Sequence, residues 1–338
     1  MKKQITKFVL AGLALVMMAG TTGCRLGSED ITLTGSLSSA QIFQVEKLKC
    51  NLPKMKVLLV NNLNLYGSSY GIDVWSSENK KVQSALEDYV KEISLAEMSR
   101  TYCMDSLAQS EGITLSQNDT DLAKQAAAEY YQSLTDAELD YMKVNQEDIQ
   151  TIYENMALAD AVYNHLTEGV NEEVSDDDAR IIEAMQIVVS DGSRAKQVEE
   201  QLKSGSDFAS VAANYNEASE IEISFGRGDL PEAVEKVAFD MEDGDISDSI
   251  KTEKGYYFLK CVNKYNQDLT DKNKIKIAES REKTAFSDVY DAYVKTLTTK
   301  LNEEKWKEVS IEEAKNLKTD SFFQIYEKYF QKDTDNSN

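Results

Sequence analysis

Histidine is almost absent from these 338 residues, with a single copy, and proline and tryptophan occur twice each. The lone imidazole, His165, sits near the end of a helical pattern, where a surface or capping role is the ordinary reading. No Ser-His or Cys-His constellation can be assembled around it, so hydrolytic chemistry has no support. The four cysteines form no CxxC and no His/Cys cluster, which leaves neither a metal site nor a disulfide framework, and no cofactor is implied. Beyond Cys24 the thiols are Cys50, Cys103 and Cys261. They read either as one bridge, Cys50 to Cys103, plus a free thiol, or as small buried apolar groups. Positive charge is also scarce: 37 basic side chains face 59 acidic ones, a balance of −22. So acidic a surface repels a polyanion, and nucleic acid is excluded as a partner.

Long apolar runs are missing except at the start. Lys2, Lys3 and Lys7 precede an apolar stretch from Phe8 to Ala19, followed by small residues and Cys24. A basic region, a short apolar core and a small-residue cut site make a secretory signal over residues 1–23. The apolar run is too short for a membrane span, which takes about 20 residues. With cysteine directly after Gly23, the leader resembles those of bacterial lipoproteins, although Thr21 stands where that family usually has Leu. The resemblance implies diacylation of Cys24, a new N-terminus there, and attachment to the outer face of the cytoplasmic membrane. The other reading is cleavage elsewhere and release. Removing residues 1–23 takes away three lysines and no acid, which moves the balance from −22 to −25. Residues 24–39 read as a polar tether.

From residue 40 to 177 the pattern is mostly helical, with little Pro or Gly inside the elements. Apolar residues recur every three to four positions from Val82 to Leu107. Ser116, Thr135 and Asn145 each open a further helix, with an acidic residue three positions later. The acidic run 172–178 marks either a domain boundary or the charged start of the next element. Beyond it, residues 178–265 alternate strand-like and helical stretches. These are a β-rich run from Ile181 to Val189, helices over 194–203, 207–215 and 231–239, and a strand over 255–262. A long helix is expected over 275–301, within a C-terminal segment, 266–330, that packs on the first helices. Residues 331–338 read as a disordered tail. The fold class is α+β: a helical lobe built from both ends of the chain, with a mixed α/β domain inserted.

Four pieces of the insert carry a resemblance in one order. Gly205-Ser-Asp-Phe-Ala-Ser-Val-Ala212 matches "G-x-D-F-A-x-x-A", and Phe225-Gly-Arg-Gly228 matches "F-G-R-G". The stretch from Leu230 to Phe239 matches "M-V-P-E-F-E-K-A-A-F", and Gly244 to Tyr256 follows "G-E-I-S-x-P-V-x-T-x-x-G-Y". Residues 181–263 thus resemble the parvulin (PpiC, rotamase) domain of peptidyl-prolyl cis-trans isomerases, which has an FKBP-like α/β fold. The layout as a whole resembles the extracytoplasmic foldase lipoproteins of Gram-positive bacteria, whose helical lobes are of trigger-factor and periplasmic-chaperone type.

This resemblance implies unfolded or newly exported polypeptides as partners, with the membrane reached only through the N-terminal lipid. It places an apolar proline-binding wall at Phe225, Leu230 and Phe239, residues that could equally be ordinary core. The family's two histidines fall on Gln186 and Tyr257, and its acidic position falls near Ile221 or a neighbouring Glu. Gln186 and Tyr257 can hydrogen-bond each other, but neither protonates near neutral pH. Two functions follow: an isomerase that speeds X-Pro rotation in exported chains, or a non-catalytic holdase chaperone with a degenerate parvulin domain. A transporter's solute receptor shares the anchor, but the expected pair of large α/β lobes is missing.

Overall fold

The computed structural model describes residues 25–26, 29–30, 37–38, 40–69, 80–170, 173–314 and 316–330. The leader, Cys24, most of the tether and the tail 331–338 lie outside the described residues. Among the described residues no helix is long and apolar enough to cross a membrane. The chain divides into two compact units, residues 1–168 with 285–338, and residues 169–284.

After a pair of two-residue strands at Arg25–Leu26 and Glu29–Asp30, the first unit carries a hairpin, β1 (Gln41–Val45) and β2 (Leu48–Asn51), turned through Glu46 at φ 50°. Four helices of this unit follow the hairpin's first one, α1 (Leu52–Ser69): α2 (Lys80–Glu111), α3 (Gln117–Ser133), α4 (Asp136–Met142) and α5 (Gln146–Thr167). Ser116, Thr135 and Asn145 cap α3, α4 and α5, and each forms a capping box with the acid three residues on. The spacing that suggested these starts satisfies two otherwise orphaned N–H groups per helix.

The second unit begins with a single turn, α6 (Asp176–Ala179), and strand β3 (Ile182–Val189). It continues through α7 (Gly192–Lys203), α8 (Phe208–Tyr215), β4 (Glu222–Phe225), α9 (Glu232–Ala238), β5 (Ile250–Thr252) and β6 (Gly255–Asn263). The four strands form an antiparallel sheet in the order β4-β3-β6-β5. One face packs on α7 and α8 through Ile187, Val189, Val198, Phe208, Val211 and Phe258. The other packs on α9 through Ile182, Ala184, Val234, Ala238, Leu259 and Cys261. Because side chains alternate along a strand, each face has its own core.

Helix α10 (Gln267–Val294) then starts in the second unit and ends in the first. It differs from the expected 275–301 at both ends. Asn266 accepts the Leu269 N–H at 3.0 Å, a cap that starts the helix eight residues early. At the far end, β7 (Thr299–Leu301) leaves helical geometry to pair with β1, Phe43 opposite Leu301 and Val45 opposite Thr299. The hairpin at 41–51, absent from the helical reading of that stretch, is the other half of this pairing. Two short elements, α11 (Glu303–Glu308) and α12 (Phe322–Phe330), finish the lobe.

The C-terminal segment is built into the first core. Phe322 is fully buried, stacks on Tyr153 at 4.5 Å and meets the edge of Tyr130 at 5.2 Å. Buried Glu138 caps α4 with one oxygen, while its other oxygen accepts the N–H groups of Lys318 and Thr319 at 2.9 and 2.7 Å. Cys50, Cys103 and Cys261 are free and buried, which sets aside the Cys50–Cys103 bridge. Burial pushes the thiols of Cys50 and Cys103 up to about 12.

Two carboxyls on α2 make the lobe sensitive to pH. Burial pushes Glu97 up to about 7 against the pull of the Asn62 amide, which donates to it at 2.7 Å. Burial likewise raises Asp105 to about 7, and its Oδ1 has no hydrogen-bond partner among the described residues. In the unfolded chain both ionise near pH 4, so the folded lobe binds more protons. Their contribution is complete below about pH 4 and is lost as the pH rises to about 7. Between pH 5 and 8 they are expected to cost the lobe on the order of 3–5 kcal/mol. Denaturant unfolding across that range should show the decline, flattened in the E97Q/D105N variant; an equally steep decline there would refute the assignment.

Candidate functional site

All five residues singled out for substrate handling lie in the second unit; strand register brings Gln186, Tyr257 and Phe225 to one face of its sheet, and α9 lays Phe239 against that face. Gln186 is opposite Leu259, and Val188 is opposite Tyr257. Gln186 and Tyr257 are therefore diagonal neighbours on that face, roughly 7–8 Å apart by sheet geometry. Phe225, Phe239 and Tyr257 belong to the core on this side, and Leu230 packs against it. Phe225 meets Phe239 edge to face at 6.3 Å.

The face is closely packed. Phe225 is 3% exposed, and Phe239, Tyr257 and Gln186 are each 8% exposed, while Leu230 is half-buried. Gln186 and Tyr257, whose side chains are able to hydrogen-bond each other, do not do so. The Gln186 amide donates to the Glu220 carbonyl at 3.0 Å, because the irregular segment ahead of β4 turns that carbonyl towards the strand. Among the described residues the Tyr257 hydroxyl has no hydrogen-bond partner, and Gln186 keeps its amide oxygen as an acceptor. Ile221 turns its side chain into the opposite core, so it does not stand in for the family's acid.

The loop bearing Leu230 is held by two carboxylates that the sequence reading passed over. Asp229 accepts the Gly226 N–H at 2.7 Å, and Glu235 accepts those of Gly228 and Leu230 at 2.7 and 3.0 Å. Gly228 needs its left-handed φ of 91°, and a Cβ at Gly226 would come within 2.9 Å of the Ile181 side chain. A signal was available: Glu235 lies in the first turn of α9, where a carboxylate finds unpaired N–H groups.

The Phe239 ring is contacted by two guanidinium groups, Arg227 at 4.3 Å and Arg180 at 4.7 Å from its centroid. Arg180 also donates to the Phe239 carbonyl at 2.9 Å, a cation at the end of α9 where the helix leaves its carbonyls unpaired.

Residues 171–271 match the family described as the PPIC-type PPIase domain, and the inserted unit is a parvulin-type domain. Among curated proteins, foldase protein PrsA 2 of Listeria innocua is 33% identical over 101 residues, which is 28% of this chain and 35% of the relative. Foldase protein PrsA 3 of Bacillus cereus is 32% identical over 108 residues, covering 30% of this chain and 38% of the relative. The matched segment thus spans about a third of the length of these relatives. Among solved structures, the peptidylprolyl isomerase PrsA of Bacillus anthracis aligns at TM-score 0.33 and 18% identity, over 59% of this chain and 95% of that one. The parvulin of Nitrosopumilus maritimus aligns at TM-score 0.22 and 30% identity, over 25% of this chain and 97% of that one.

Proposed function

We propose that this chain is a membrane-anchored extracytoplasmic foldase whose parvulin-type domain catalyses peptidyl-prolyl cis-trans isomerisation in exported proteins. The observation that carries the reading is the convergence of Phe225, Phe239, Tyr257 and Gln186, with Leu230 packed against them, on one sheet face. Rotation of an X-Pro bond faces a barrier of about 18–20 kcal/mol and takes tens of seconds unaided. It needs no covalent step and no proton transfer. An apolar wall holds the ring and the amide loses its planarity there. The Tyr257 hydroxyl then serves as donor to the twisted amide, and the Gln186 oxygen accepts from the peptide backbone.

A second reading is a non-catalytic holdase. Its support is specific: neither polar group is an imidazole, and Phe239 is 8% exposed with both its neighbouring cations in place. Isomerisation of a short X-Pro peptide, followed by exchange NMR on the mature protein, separates the two. The enzyme reading expects a rate above buffer, reduced about tenfold, near 1.4 kcal/mol, by Tyr257→Phe and by Leu230→Ala. A rate equal to buffer and indifferent to both changes removes it. Suppression of client aggregation by that same sample would then establish the holdase.

The anchor is part of the proposal. A foldase held by a diacylated Cys24 works where chains emerge unfolded, and its clients are those chains. Mass spectrometry of the mature N-terminus should find lipid on Cys24; an unmodified terminus elsewhere would make the protein a secreted one.

A further inference from the structure

The acidic run, read from sequence as a boundary or as the charged start of the next element, supplies a residue that reaches the candidate site. Asp177 in α6 accepts from Arg227 through Oδ2 at 2.5 Å and lies 3.5 Å from Arg180 through Oδ1. Its backbone carbonyl accepts a further bond from Arg227 Nε at 3.1 Å. These are the two arginines whose guanidinium groups lie over Phe239. Its neighbour Asp176 pairs with Lys274 on α10, which fixes the turn from the other side.

We propose that Asp177 is a positioning residue for the prolyl-peptide site: it holds Arg180 and Arg227 together over Phe239 and so fixes that ring for its ligand. This rests on the isomerase-like reading of the site given above. The physical need is plain. Two like charges drawn to one aromatic ring repel each other, and a shared carboxylate between them removes the repulsion while leaving each attraction to the ring. A wall fixed before the ligand arrives loses less freedom on binding, so the effect belongs in peptide affinity. The pair is half-exposed, with side-chain exposures of 43% for Arg227 and 65% for Asp177, so overall stability should barely register its loss.

The test uses the full mature chain with 4-fluorophenylalanine at position 239 and a short X-Pro-Phe peptide. Asp177→Asn is expected to shift the fluorine resonance and to weaken peptide binding about five- to tenfold, with Tm unchanged within a degree or two. Asp177→Glu should restore most of the affinity. An unshifted resonance, or affinity unchanged in Asp177→Asn, overturns the proposal, as does a loss of affinity matched by a fall in Tm. If the unaltered chain neither binds nor turns over the peptide, the isomerase-like reading fails. The fluorine resonance then still decides whether Asp177 orders Phe239, and an unshifted signal removes that role as well.

Discussion

Alanine at position 255 is expected to unfold the inserted domain well below the temperature at which the unaltered chain melts. Gly255 sits at φ 127° in the turn that joins β5 to β6, a conformation costing a side-chain-bearing residue about 1–3 kcal/mol. A Cβ there would lie 2.4 Å from the backbone oxygen of Val189 on the neighbouring strand, and backbone cannot step aside as a flexible side chain does. The two effects together predict a loss of at least about 3 kcal/mol. Gly244, with φ 90° and nothing within 4 Å of its would-be Cβ, isolates the first effect. Gly244→Ala should therefore cost only about 1–2 kcal/mol. Equal losses for the two variants in denaturant unfolding would show that the contact with Val189 contributes nothing. Gly255 also sets the register that places Tyr257 opposite Val188, so site geometry and domain stability are expected to fail together.

The other large effect lies in the helical lobe. Truncating Phe322 to alanine should cost about 3–5 kcal/mol, as for other fully buried aromatic residues, and lower the lobe's Tm by roughly 10 °C. The side chain fills space between Tyr130 and Tyr153. Its backbone is tied as well: the Phe322 N–H donates to Asn61 at 3.2 Å and its carbonyl accepts from the Tyr153 hydroxyl at 2.9 Å. Those residues come from α1, α3 and α5, so the variant tests whether the two ends of the chain share one core. A loss under about 1 kcal/mol, the size of a surface change, would mean that α12 is an appendage.

Much of the fold was legible because the signals are local. Capping boxes at Ser116, Thr135 and Asn145 bind a side chain to the backbone three residues on, and sequence shows both partners at once. The alternation of β3 and the motifs around Gly205, Phe225 and Gly255 are likewise contained in short windows. What was missed is non-local. Strands β1 and β7 pair across about 250 residues, and each is too short to announce itself alone. Neither the helical reading of 41–51 nor the extension of α10 to residue 301 could be corrected without that partner.

The candidate site divides the same way. Leu230, Phe239, Gln186 and Tyr257 were nominated by a family resemblance that short motifs carry. That Gln186 would bond the Glu220 carbonyl instead of Tyr257 depends on how the loop before β4 turns. The role of Asp177 was hidden because an acidic run looks the same whether water or an arginine faces it.

Composition and short-range order alone carried the scarcity of histidine, the acidic balance, the helix caps, and a parvulin-like segment flanked in the chain by helical ones. These follow from composition and from contacts a few residues apart. The tertiary structure alone decided that the three internal thiols stay free, that the C-terminal segment completes the first core, and that an acidic turn reaches the Phe239 ring through two arginines. Such facts depend on which distant residues meet, and that is set by packing both ends of the chain into one core and by the register of one four-stranded sheet.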